Sequence, residues 1–146
     1  MRIMIDLNVL LDYVQKRQPH FQFSSVVVSE VLKLNMQGFV PAHAVTTVYY
    51  ICTKQLGRQR ANEVIDWLLA KFEIVPAQKA EFIRARSLPT NDFEDAVVAS
   101  LAETAACDFV VTRNVPDFKD SPIPAISPEE FVRRYLSHDE TTPPSN

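Results

Sequence analysis

The sequence opens on MRIMIDLNVLLDY (residues 1–13), an apolar run that is followed at once by a polar junction and a second apolar pattern. MRIMI has the composition of a short buried strand, and Asp6 comes directly after it. Within residues 8–16, Leu10 and Val14 recur at helical spacing on one face. The stretch therefore predicts a buried strand that leads into an amphipathic helix, the unit from which parallel sheets are built.

The same alternation of apolar strands and helical patterns continues along the chain. Gly38 is expected to end the second helix, and Ser127, Pro128 and Glu130 predict the start of the last one. Strands are predicted over 1–5, 39–40, 72–75, 109–112 and 123–126, and helices over 8–16, 21–36, 44–56, 58–71, 77–86, 93–104 and 127–136. This order predicts an α/β fold whose parallel sheet is covered by helices on both faces.

Length and composition predict one domain over residues 1–136. The polar segment 137–146 (SHDETTPPSN) is predicted to be a disordered tail. No apolar run approaches the ~20 residues that span a membrane and no signal peptide precedes the first strand, so we expect a cytoplasmic protein with no membrane partner. Cys52 and Cys107 lack metal-ligand spacing and are expected to be buried, reduced thiols.

The net charge of −3 is unevenly distributed. Residues 1–90 carry 11 Lys/Arg and 7 Asp/Glu, a balance of +4, whereas residues 91–146 carry 4 and 11, a balance of −7. A passive nucleic-acid coat protein is basic throughout, so this class is disfavoured. An acidic cluster suits a metal cation better, although a solvated face is the commoner explanation of any single charge run.

Two helix starts carry acids that helix capping explains only in part. Asp6 could cap the helix after the first strand. In PTNDFEDAVVAS (89–100), Asp92, Glu94 and Asp95 surround the start of a helix, where one or two acids favour the helix dipole. Capping explains three acids in four residues poorly, because neighbouring like charges raise one another's pKa.

A third junction is VVTRNVPDF (110–118), in which Thr112 and Asn114 leave a strand and Asp117 follows in a loop. Ligands of parallel α/β sheets lie beyond the carboxyl ends of the strands. Carboxylates that converge there within roughly 4–6 Å repel unless they are protonated or bridged by a cation. Since oxygen ligands select Mg²⁺ or Mn²⁺ over zinc, the sequence predicts such a cation and phosphodiester hydrolysis.

Several segments together resemble the PIN-domain family of metal-dependent nucleases: IDLNVLLD (5–12), NDFEDAVVASLA (91–102), CDFVVTRNVPDF (107–118) and IPAISPEEF (123–131). The resemblance implies a three-layer α/β/α sandwich with a mainly parallel sheet of four to five strands. It also implies an endoribonuclease that cleaves single-stranded RNA with Mg²⁺ or Mn²⁺, as VapC-type toxins of type II toxin–antitoxin pairs do. A homodimer and a cognate antitoxin protein are the implied partners.

The resemblance assigns roles residue by residue. Asp6 and Asp95 match catalytic, metal-binding acids of the family. Thr47 stands where the family usually has a Glu early in the helix after the second strand, and Asn114 stands where it often has an Asp. Asp117 is the candidate third catalytic acid. We therefore expect weaker metal binding than in relatives that have four acids.

A second set of polar residues lies at or near the same junctions. Ordinary capping or solvated charge explains each of them at least as well as a role in the site. Asn8, Asp92, Thr112 and Asn114 are candidates for supporting the metal ligands, and Arg84, Arg86 and Arg113 are candidates for RNA contact. His43, which follows the second strand, could also face the site.

Two other functions are weighed against the nuclease. A degenerate, non-catalytic PIN domain that binds RNA or a protein partner is consistent with Thr47 and Asn114. A phosphatase or phospho-acceptor domain with a nucleophilic Asp6 is disfavoured, because such a phosphatase usually has a second Asp at position 8, where this chain has Asn8.

Overall fold

A computed structural model of the chain describes residues 1–136; the predicted tail, 137–146, lies outside the described residues. The strands are β1 (Arg2–Ile5), β2 (Gln37–Pro41), β3 (Glu73–Val75), β4 (Phe109–Val111) and β5 (Ala125–Ile126). The helices are α1 (Leu7–Gln15), α2 (Phe21–Leu32), α3 (Ala42–Leu56), α4 (Arg58–Lys71), α5 (Lys79–Ser87), α6 (Phe93–Thr104) and α7 (Pro128–Phe131). A 3₁₀ turn (Val115–Phe118) lies between β4 and β5, and a π-helical turn (Val132–Leu136) follows α7.

The five strands form one sheet in the order β3-β2-β1-β4-β5, and every neighbouring pair is parallel. The chain moves outward from β1 through β2 to β3, then returns to the other side of β1 for β4 and β5. The strand order therefore reverses between β1 and β4, where open α/β sheets bind their ligands at the carboxyl edge. The prediction of a parallel sheet of four to five strands is confirmed.

Helices cover both faces of the sheet, as expected of a three-layer sandwich. Side chains of a strand alternate between faces, and in β1 Ile3 and Ile5 join the core beneath α1, α2, α3 and α4, whereas Met4 joins the core beneath α5 and α6. All three side chains are fully buried. β1 is therefore apolar on both faces, which explains why its sequence lacks polar alternation.

The predicted end of the second helix is wrong. α2 ends at Leu32, four residues earlier than expected, and Leu34 adopts a left-handed φ of 62° in the connection to β2. Gly38 does not cap the helix and instead lies within β2, where an added Cβ would lie 2.8 Å from side-chain atoms of both Val31 and Phe72. The glycine therefore serves close packing of the strand against its neighbours rather than helix termination.

Other predictions from local sequence are confirmed. Ser127 accepts a hydrogen bond from the backbone N–H of Glu130 (3.1 Å) and so starts α7. Cys52 and Cys107 are buried and free. Among residues 1–136, no helix is both long enough and apolar enough to cross a membrane.

Candidate functional site

Asp6 lies at the junction of β1 and α1 and caps the helix. Its Oδ1 accepts a hydrogen bond from the backbone N–H of Leu7 (2.9 Å), and its Oδ2 accepts one from the hydroxyl of Thr112 (2.9 Å). The residue is 8% exposed. Burial raises the pKa of the carboxyl, and the hydrogen bonds from Thr112 and Leu7 oppose that rise. Since a carboxylate offers about four lone-pair positions, both oxygens keep capacity for a cation.

Thr112 links the ends of β1 and β4. The backbone N–H of Asp6 donates to the carbonyl of Val111 (3.0 Å), which extends the pairing of the two strands to the site. While the buried Thr112 hydroxyl donates to Asp6, it accepts from the backbone N–H of Asn114 (3.0 Å). One hydroxyl thus orients the Asp6 carboxylate and holds the start of the loop after β4. The Asn114 residue itself is exposed.

Asp95 lies in the first turn of α6, and Asp92 caps that helix by accepting from the Asp95 backbone N–H (3.1 Å). The pKa of Asp95 is raised from the ordinary 3.8 to about 7. Burial is the largest cause, followed by the charges of Asp92, Asp6, Asp117 and Glu94. Acids from three separate junctions therefore contribute to the raised pKa of one carboxyl.

Asp117 faces α6 across a narrow crevice that Asp95 and Thr90 also line. Thr90 donates to the Asp117 backbone carbonyl (3.3 Å), which ties the loop before α6 to the 3₁₀ turn after β4. A wider groove of about 380 Å³ adjoins this crevice. The groove is lined by Pro89, Thr90, Asn91, Asp92, Pro116, Asp117, Lys119 and Asp120.

His43 lies in the first turn of α3, and its Nε2 is 3.9 Å from Oε1 of Glu94. Glu94 also contributes to the raised pKa of Asp6. The imidazole and this fifth carboxylate therefore lie at the rim of the acidic edge. Thr47 is on the next turn of α3 and donates to the His43 backbone carbonyl (3.4 Å). No sequence pattern had placed Glu94 beside His43, because they belong to helices that are distant in the chain.

The candidate arginines have different surroundings. Arg84 is paired with Glu103 through two hydrogen bonds (3.0 and 3.2 Å) on the outer surface of α5 and α6. Arg86 is exposed and forms no ion pair with residues 1–136. The Nε of Arg113 lies 3.0 Å from Oδ2 of Asp12, an acid of α1 with a fully buried side chain. Asp12 was missed in the sequence, although an acid within the apolar pattern of α1 is a signal for a buried ion pair.

The donors of the acidic edge fit a hard divalent cation. Asp6 and Asp95 offer only oxygen atoms, and their mutual repulsion is what a bound cation relieves. Within the part of the chain that the structure describes, no group of three or more His, Cys, Asp or Glu side chains is arranged to hold a metal by protein ligands alone. A donor set of two carboxylates completed by water suits Mg²⁺ or Mn²⁺ rather than Zn²⁺.

The fold and the site together place this chain in a class of protein: three-layer α/β domains whose parallel sheet carries interacting carboxylates at its switch point. The family model of the PIN domain matches residues 2–116, and the chain belongs to the PIN-domain family.

Known proteins similar to this chain share its length as well as its fold. It is 26% identical over 139 residues to Ribonuclease VapC1 of Aquifex aeolicus (strain VF5), covering 92% of this chain and 95% of that one. Its fold matches a chain of VapBC2 from Rickettsia felis bound to promoter DNA (TM-score 0.68, 18% identity, 87% and 98% covered). It also matches a chain of a toxin–antitoxin complex from Klebsiella pneumoniae (TM-score 0.66, 18% identity, 86% and 97% covered).

Proposed function

We propose that the chain is a metal-dependent endoribonuclease that cleaves single-stranded RNA and acts as the toxin of a type II toxin–antitoxin pair. The observation that carries the proposal is the raised pKa of Asp95, caused by burial and by Asp92, Asp6, Asp117 and Glu94. A cluster of negative charge around a buried and a half-buried carboxylate, Asp6 and Asp95, is costly unless a cation binds there. The name of the Aquifex relative supports a ribonuclease.

In this proposal each residue of the acidic edge has a specific role. Asp6 and Asp95 hold one Mg²⁺ or Mn²⁺, which supplies polarisation of the phosphoryl group and activation of water. Thr112 fixes the orientation of the Asp6 carboxylate through their 2.9 Å hydrogen bond. Asp117, which lines the same crevice as Asp95, is the third catalytic acid. Asn8, Asp92 and Asn114 support the site from the helix and turn starts where they lie.

Two features support a protein partner. The Klebsiella neighbour comes from a toxin–antitoxin complex, and this chain covers nearly the whole of that neighbour's chain. A metal-dependent nuclease also requires restraint in the cell that makes it. We propose that a cognate antitoxin supplies that restraint and that the chain works as a homodimer.

A cleavage assay tests the proposed function. Purified protein should cut an unpaired RNA in Mn²⁺ and leave it intact when the metal is chelated. Asp95→Asn is the matched control, since it removes one charge from the cluster and changes little else. If wild type and Asp95→Asn cut equally, the activity belongs to a contaminating nuclease and the proposal fails.

A non-catalytic PIN domain that binds RNA or a protein is the second candidate. The observation that favours it is the lack, among residues 1–136, of a third metal-ligating side chain close to the other two. Thr47 and Asn114 stand where the family has carboxylates, so the double variant Thr47→Glu/Asn114→Asp separates the candidates. If wild type binds RNA without cutting and the double variant cuts, the chain is the degenerate form.

A further inference from the structure

Asp12 is a buried carboxylate that the acidic edge does not use. Its side chain has no solvent exposure, and Oδ2 lies 3.0 Å from Nε of Arg113 and 3.4 Å from the Ser24 hydroxyl of α2. Oδ1 has no hydrogen-bond partner among residues 1–136. Burying a carboxylate in this way is unfavourable without a paired cation, so Asp12 and Arg113 hold each other in place.

Arg113 connects this buried pair to the carboxylate edge. It directly follows Thr112, whose hydroxyl binds Asp6, and its positive charge lowers the pKa of Asp6. Arg113 also lines a cavity of about 340 Å³, together with His20, Ser24 and Ser127. Its side chain is 27% exposed, so the guanidinium is both anchored and accessible from solvent.

The wall of this cavity carries the basic residues Arg113 and His20 and the acid Glu129. The groups that act on the buried Asp12 carboxylate are basic: Arg113, His20 and Arg17. Glu129, an acid of the cavity wall, is already paired with Arg133 (2.8 Å). The Nε of Arg113 lies 3.0 Å from Oδ2 of Asp12 as an ion pair, although its N–H makes no hydrogen bond within residues 1–136. A guanidinium carries five N–H donors in a planar fork that suits a phosphate.

We propose that this cavity is a phosphate-binding subsite of the proposed nuclease, in which Asp12 positions Arg113 to hold a backbone phosphate of single-stranded RNA beside the one being cut. The inference rests on the proposed function for the identity of the ligand. The subsite supplies a positive charge next to the acidic edge. The edge itself has five interacting carboxylates, which repel a polyanion such as RNA. The metal would hold the reacting phosphate and Arg113 a neighbouring one, which together fix the register of the strand.

Binding of a short unpaired RNA to the full chain, measured in chelator across a salt series, tests the subsite without requiring cleavage. Arg113→Gln should weaken binding about tenfold, as expected for loss of a charge-assisted contact. It should also reduce the slope of log affinity against log salt by about 0.7, the value for one phosphate contact on a single strand. Arg60→Gln is the matched control, because Arg60 is an exposed arginine of the first turn of α4 that is paired with Glu63 (3.0 Å).

Two further variants separate positioning from folding. Arg113→Lys keeps a cation beside Asp12 but loses the fork, so it should fold, retain the salt slope and bind RNA less tightly than wild type. Asp12→Asn should also retain the slope but weaken affinity, because the cation remains and its position is no longer fixed. A purely structural pair would lower the melting temperature in both variants and leave RNA affinity unchanged.

RNAs with one neutral methylphosphonate linkage at successive positions locate the contact. In wild type, one position should weaken binding, and in Arg113→Gln, which lacks the charge, the same replacement should cost distinctly less. Equal costs of the neutral linkage in the two proteins, or equal RNA affinities of Arg113→Gln and Arg60→Gln, would overturn the subsite.

If wild type cuts RNA in Mn²⁺ but none of the Arg113 variants changes RNA affinity or the salt slope, only the subsite fails. If wild type binds RNA through Arg113 but never cuts, the proposed nuclease function fails and the subsite stands.

Discussion

Asp6 and Asp95 differ in what surrounds them, although both come from helix starts. Asp6 is held by two hydrogen bonds that favour its charged form, whereas Asp95 is surrounded by four other carboxylates. At Asp6, burial raises the pKa and hydrogen bonding lowers it. At Asp95, burial and repulsion both raise the pKa. The pair therefore consists of one carboxylate oriented by hydrogen bonds and one destabilised by burial and repulsion, which is what the proposed shared cation would relieve.

The first prediction concerns the pH dependence of stability in the metal-free protein. The folded pKa of Asp95 is about 7, against an ordinary value of 3.8, so between these values the folded state holds a proton that the unfolded state has released. The contribution of Asp95 to stability is therefore present below about pH 4 and is lost as pH rises towards 7.

Asp95→Asn should consequently raise the melting temperature above that of wild type at pH 8, and the difference should shrink as pH falls to 4. Thermal melts in chelator at several pH values measure it. Asp66→Asn, an exposed acid of α4, is the control for general charge effects. A benefit of Asp95→Asn that is independent of pH would contradict the placement of this carboxyl in a repulsive cluster.

The second prediction concerns metal binding at the same residues. A cation that binds only the folded state stabilises by about 2.7 kcal/mol at a hundredfold excess over Kd, which corresponds to roughly 5–10 °C in melting temperature for a chain of this size. Mn²⁺ should produce this shift, and Zn²⁺ should give no comparable specific effect. Asp6→Asn should abolish the Mn²⁺ shift; full retention would show that Asp6 is not a ligand.

Among the elements, β2 shows where local sequence was misleading. Gly38 followed a helical pattern and so predicted a helix end, but the same residue is needed where β2 passes close to Phe72 and Val31. A glycine at this point of the sequence can end a helix or allow a strand to pack closely. Local sequence does not distinguish the two roles, whereas the packed structure does. By contrast, the Ser127 cap and the strand at 1–5 were predictable, because their signals depend on neighbouring residues alone.

The third prediction tests the packing role of Gly38. Gly38→Ala should destabilise the protein by about 1–3 kcal/mol, because its Cβ would overlap the Phe72 ring and the Val31 side chain at 2.8 Å. Denaturant melts give the free energy of unfolding. Gly38→Ala combined with Phe72→Leu should be less harmful than the sum of the single changes. Strict additivity would mean that the Phe72 ring is not the obstacle.

For the whole molecule, the sheet order explains how distant parts of the sequence form one site. The return of the chain to β4 beside β1 brings Thr112 to Asp6, and α6 brings Asp95 and Asp92 to the same edge. The place of α6 at that edge depends on helix packing, since α6 follows α5 and not a strand. From the shared carboxyl edge of parallel strands alone, the sequence predicted the meeting of Asp6 and Thr112. It could not predict the Asp12–Arg113 pair or the Glu94–His43 contact, which depend on how helices of different layers approach each other.

The fourth prediction concerns the two positions that depart from the family. Thr47→Glu and Asn114→Asp should each tighten Mn²⁺ binding, because each adds a carboxylate near an incomplete ligand set. Calorimetric titration of Mn²⁺ into each variant measures the change, with Asp66→Glu as a control for a remote acidic substitution. If neither variant alters Mn²⁺ affinity, these positions do not face the cation.

The most direct test of the central claim, that Asp6 and Asp95 hold one divalent cation, is anomalous X-ray scattering from crystals of the protein grown with Mn²⁺. The account predicts one strong Mn²⁺ peak at the switch point between β1 and β4. It should lie about 2.1 Å from a carboxylate oxygen of Asp6 or Asp95, with the other carboxylate bound directly or through water. A Mn²⁺ peak elsewhere, or Asp6 and Asp95 carboxylates more than about 10 Å apart with no shared cation, would contradict it.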